Sequence, residues 1–108
     1  MTLNELVEKA HRRAVESGWW NPGKTDVECH MLMVTEIAEA TECVRNHESY
    51  LHYSKVSGKP EGESVELADV IIRIADYFGY KGWNLEHVVK EKMAYNQTRP
   101  HRHGGKKL

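Results

Sequence analysis

From Val65 to Phe78 the chain reads Val, Glu, Leu, Ala, Asp, Val, Ile, Ile, Arg, Ile, Ala, Asp, Tyr, Phe. At about 100° per residue, Leu67, Ala68, Val70, Ile71, Ile72, Ile74, Ala75 and Phe78 cover most of a helical cylinder. A helix that is apolar nearly all round is a buried helix, so the rest of the chain must supply other helices to cover it. Its polar residues Glu66, Asp69, Arg73 and Asp76 are spaced three, four and three, the spacing of a core seam. They form one strip on a helix with little reason to face water.

The stretch Thr35–Glu42 repeats the arrangement. Carboxylates three residues apart share one helix face. Leu32, Glu36, Glu39 and Cys43 form a stripe, flanked by Met33, Ile37, Ala40 and Val44. Glu36 falls inside the apolar arc and Glu39 at its edge, whereas Glu42 projects towards Arg45. A buried carboxylate has to be paired, protonated or bound to metal, because an isolated buried charge is very costly. Glu36, Glu39, Glu66 and Asp69 together outnumber the nearby Arg73, and a divalent cation would resolve the surplus. Asp76 reads either as an outer acid of this group or as the partner of Arg73, the second being preferred.

The remaining helices follow from local signals. Thr2-Leu3-Asn4-Glu5 and Thr25-Asp26-Val27-Glu28 are capping boxes, and Asn84 is a cap for a last helix that Pro100 ends. The expected helices span about 3–17, 26–46, 63–78 and 85–98, with Gly18 and Gly79 as terminators. His47 to Gly62 is a connection with a short helical turn at Tyr50–Tyr53. No strand pattern or internal repeat is visible. The fold class is all-α, a four-helix bundle-like arrangement in one domain of 108 residues, with about 100–108 as a flexible tail. The adjacent Trp19 and Trp20 in the loop after the first helix either cap the core from outside or stack on a ligand ring.

Composition limits the function classes. A net charge of −1 gives no global argument for nucleic acid, and no run approaches a membrane span, so neither partner is expected. Cys29 and Cys43 share one helix and stand about 21 Å apart along it, beyond disulfide reach. Buried free thiols and the absence of a signal-peptide pattern suit the cytoplasm. Hard oxygen ligands favour Mg²⁺, with Mn²⁺ as a substitute, over zinc. The two carboxylate pairs lack the Glu-x-x-His of ferritin-like di-iron sites. Lys92, Asn96 and Arg99 share a face of the last helix and offer donors to phosphate oxygens. No glycine-rich phosphate loop is present, so metal would have to hold a polyphosphate.

With these residues in place, the chain from Gly18 onward resembles the MazG-like all-α nucleoside triphosphate pyrophosphohydrolases. The likeness rests on Glu36-x-x-Glu39 on one helix, Glu66-x-x-Asp69 on the next, and the closing run from Lys92 through Asn96 and Arg99 to the His101-Arg102-His103-Gly104 segment. It implies hydrolysis of a (deoxy)nucleoside triphosphate to the monophosphate and pyrophosphate, in nucleotide-pool housekeeping. It also implies Mg²⁺ held by the catalytic acids Glu36, Glu39, Glu66 and Asp69, with Lys92, Asn96 and Arg99 on the phosphates or sugar. By the same likeness His11 and Trp20 would contact the base, and the protein would form a homodimer or homotetramer. The apolar third helix independently favours an oligomer. The alternatives are a catalytically silent nucleotide-binding protein and a structural helical oligomer whose acids pair with Arg73, Arg45 and Lys92. A reading of His101, His103 and the terminal lysines as a nucleic-acid or metal-binding tail is set aside for a flexible end.

Overall fold

The computed structural model describes residues 1–99. The tail expected at about 100–108 lies outside the described residues. Four helices carry the fold: α1 (Leu3–Glu16), α2 (Asp26–Arg45), α3 (Glu63–Lys81) and α4 (Leu85–Gln97). Thr2 and Thr25 each accept from the backbone N–H three residues on, and Glu5 and Glu28 return the bond, so both capping boxes form. Asn84 caps α4 by accepting from the His87 N–H. These start signals are local, which is why α1, α2 and α4 begin where expected.

α3 is the central element, packed between α1 and α2. Asp26 at the start of α2 accepts from Tyr77 (2.7 Å) and Lys81 (3.0 Å) near the end of α3, so α2 and α3 run antiparallel. α1 crosses the other side of α3, and Val7, Ala75 and Leu85 form the core where α1, α3 and α4 meet, joined by Leu6, Ala10, Phe78 and Val89. Asn4 ties α1 to the start of α4 through the Asn84 side chain and the Glu86 backbone.

Three expectations about α3 and its approach need correction. The helix does not stop at Gly79 but continues to Lys81, with Gly82 (φ 72°) as its left-handed cap. Gly79 serves packing: a Cβ there would stand 2.5 Å from Cβ of His11 on α1, so only glycine allows the crossing. The helix is not buried all round either, because Leu67, Ile71 and Ile72 remain 42–54% exposed. A helical projection counts residue types, and among the described residues no other helix covers this face of α3.

The segment between α2 and α3 is a short antiparallel ribbon, β1 (His52–Tyr53) paired with β2 (Pro60–Glu61), rather than a helical turn at Tyr50–Tyr53. The Tyr50 carbonyl accepts from the backbone and hydroxyl of Ser64, fixing the ribbon to the first turn of α3. Among the described residues no helix is long and apolar enough to cross a membrane.

Candidate functional site

The antiparallel register of α2 and α3 sets Glu36 and Glu39 opposite Glu66. One carboxylate oxygen from each lies within 4.8 Å of the other two. Glu36 is buried, Glu66 is half-buried and Glu39 is exposed, as the places of Glu36 and Glu39 on the α2 wheel anticipate. Asp69 stands outside this trio. It lines a cavity of about 280 Å³ together with Glu36, Arg73, Trp19 and residues of α1, including Arg13 and Ser17. Glu39 and Glu66 line a second cavity of about 430 Å³, walled by Glu42, Glu48, Glu61 and Lys59. The acidic trio thus lies where two cavities approach each other.

The charges interact strongly. Burial, then hydrogen bonding to Glu39 and Glu36, raises the Glu66 carboxyl from 4.5 to about 7. Burial and then the Glu36 charge raise Asp69 as well. Burial pushes Glu36 upward too, but hydrogen bonds from Arg73 and within the trio outweigh it and keep Glu36 below its ordinary value. Arg73 donates to Glu36 Oε1 through Nε at 3.0 Å and through Nη2 at 2.8 Å. The cysteine beside the second cavity feels the same field: burial and then the nearby acids raise the Cys43 thiol.

Arg73 therefore pairs with Glu36 on α2, not with Asp76. Asp76 accepts instead from Trp20 Nε1 at 2.9 Å and lies 2.8 Å from His11 Nδ1. Spacing along α3 suggests Arg73 and Asp76 as partners, but α2 and α1, flanking that strip, offer each a better one. Trp20 stacks on Tyr80 with ring centroids 4.0 Å apart. Trp19 carries two cations near its ring, Lys24 at 4.2 Å and Arg73 at 4.4 Å. Both tryptophans are thus engaged with the chain's own groups.

His11 and Trp20 are brought together at Asp76, which lines the first cavity with Glu36 and Asp69 but stands outside the acidic trio. Lys92, Asn96 and Arg99 are not brought to it. They lie on α4 and just beyond its end, and α4 meets the bundle mainly through α1; none of the three lines either cavity. Lys92 and Arg99 both approach the Tyr95 ring. Glu42 stands 3.8 Å from Arg45, as its place on the helix anticipates, and also walls the second cavity.

Some residues around the site were not singled out from sequence. Glu48, just beyond α2, and Lys59 and Glu61, at the ribbon, reach the second cavity, and the Ser57-Gly58-Lys59-Pro60 turn signal is the one cue that could have found the ribbon. Arg13 and Ser17 follow Ala10 at helical spacing on the face of α1 that meets α3. No known family profile matches the chain, and no curated protein or solved structure does.

Proposed function

We propose that this chain hydrolyses a (deoxy)nucleoside triphosphate to the monophosphate and pyrophosphate with a divalent cation, in the manner of the MazG-like enzymes it resembles. The observation that carries the reading is the convergence of Glu36, Glu39 and Glu66 from two helices. The donor set fits a hard cation, since every ligand offered is a carboxylate oxygen. Burial, and then the neighbouring Glu39 and Glu36, raise Glu66 to about 7, a cost of ionising it that a bound cation would relieve. In this reading Glu36, Glu39 and Glu66 hold Mg²⁺ or Mn²⁺, with Asp69 near. When bound, such a cation orients phosphate oxygens and stabilises the charge that develops on them.

The remaining roles fall to the chain itself. Asp69 is assigned the orientation of the attacking water: it shares a cavity with Glu36, and the other acid there, Asp76, is taken up by His11 and Trp20. Water oxygen bonds to the α-phosphorus, the bond to the bridging oxygen breaks, and pyrophosphate leaves. Arg13 and Ser17 supply donors in the cavity beside Trp19, where the apolar Ala10, Ala14 and Ile72 suit an uncharged ring. The homodimer or homotetramer belongs to the same proposal. Exposed Val34, Ile37 and Val44 on α2, with Leu67 and Ile71 on α3, give apolar surface for a second copy. Lys92, Asn96 and Arg99 would then act on the site of a neighbouring copy.

A second reading has one observation in its favour. The Arg73–Glu36 pair satisfies the most buried acid of the trio without metal, as expected of a catalytically silent helical protein. Incubation with a panel of ribo- and deoxyribonucleoside triphosphates and Mg²⁺ decides between them. Monophosphate and pyrophosphate in equal amounts, lost in Glu39→Gln, is the expected result. Release of orthophosphate and a diphosphate refutes attack at the α-phosphorus, and no turnover with any substrate favours the silent protein.

A further inference from the structure

The acidic trio contains a cation already, covalently attached to the chain. Both donor nitrogens of Arg73 converge on a single oxygen of Glu36, leaving the other oxygen of that carboxylate outside the pair. The pair is largely sheltered, with side-chain exposures of 27% for Arg73 and 11% for Glu36. Its guanidinium also lies 4.4 Å from the centre of the Trp19 ring. Asp69 stands one helical turn before Arg73 on the same face of α3, lines the same cavity, and feels its charge. Arg73 therefore has two further supports, an aromatic ring and a second carboxylate, should Glu36 be taken from it.

We propose that Arg73 is a tethered counter-ion that holds Glu36 while the acidic trio is empty and competes with a divalent cation for it. The inference rests on the metal-binding reading above and adds to it a residue that sets the affinity. A free monovalent cation replacing the guanidinium would gain no charge over it, whereas a divalent one adds a positive charge to a cluster with a surplus of acids. Arg73 thereby biases the site toward divalent ions and weakens its hold on them. An arginine suits the task because its planar fork grips one carboxylate while its face rests on an indole, which an ammonium does less well.

Calorimetric titration of the metal-free protein with Mn²⁺ at pH 8 tests this, using wild type, Arg73→Met, Arg73→Lys and Glu39→Gln. Removing the competing charge-assisted bonds should tighten Mn²⁺ binding about ten- to a hundredfold in Arg73→Met. Arg73→Lys should fall between it and wild type, and it decides the matter if the methionine variant does not fold. Unchanged or weaker binding in whichever folded Arg73 variant is measured overturns the counter-ion role, while Mn²⁺ bound by wild type and lost in Glu39→Gln leaves the metal site standing. No Mn²⁺ bound by wild type or any Arg73 variant overturns both.

Discussion

Replacing Glu66 by Gln should stabilise the metal-free protein at alkaline pH and leave its stability unchanged in acid. Glu66 sits at about 7 in the folded chain, against 4.5 for the ordinary carboxyl, through burial and its carboxylate neighbours. Between those values the folded state holds a proton that the unfolded state has released, so stability falls as pH rises through the window. The penalty is absent below the ordinary carboxyl value and complete above the raised one. At about 1.36 kcal/mol per unit, and discounted because solvent screens a half-buried group, it amounts to about 1–3 kcal/mol. Glutamine keeps a hydrogen-bonding side chain of similar shape beside Glu36 and Glu39 without the charge. For a domain of this size the gain corresponds to a melting point roughly 5–15 °C higher at pH 8. Thermal melts of both proteins in chelator, at pH 4 and pH 8, read the difference directly. A variant that melts lower than wild type at pH 8, or equally far above it at both pH values, refutes the reasoning. With Mn²⁺ at a thousandfold excess over its dissociation constant the order should reverse, wild type gaining about 4.1 kcal/mol that the variant lacks.

Two further substitutions test the packing around α3. Gly79→Ala sets a Cβ 2.5 Å from that of His11. Overpacking of about 1–3 kcal/mol outweighs the roughly 1 kcal/mol that alanine gains in helix propensity, so urea denaturation should register a net loss; a more stable variant would mean that α1 and α3 do not meet there. Asp76→Ala removes the shared acceptor of His11 and Trp20. It should cost about 2–3 kcal/mol and shift Trp20 fluorescence, and an unchanged urea midpoint would count against the network.

Helix starts were legible because their causes lie within four residues: the two capping boxes and Asn84 need only their own first turns. The acid positions on α2 were legible for the same reason, since helical periodicity alone puts Glu36 inward, Glu39 at the edge and Glu42 beside Arg45. The end of α3 was not. A glycine ends a helix or admits a neighbouring one, and whether Gly79 does the second depends on His11, 68 positions earlier in the chain. The ribbon over His52–Glu61 escaped notice because strands of two residues carry no periodicity and their pairing is non-local.

The strip Glu66, Asp69, Arg73 and Asp76 holds the same lesson in a single helix. Sequence alone determined that these four side chains share one side of α3 and that the chain holds more acids there than cations. Tertiary structure decided how they divide: Glu66 towards Glu36 and Glu39, Arg73 to Glu36, Asp76 to His11 and Trp20. The physical reason is that periodicity specifies a direction around one helix axis, whereas an ion pair needs two groups within about 4 Å, and only the packing of α1 and α2 on α3 sets those distances.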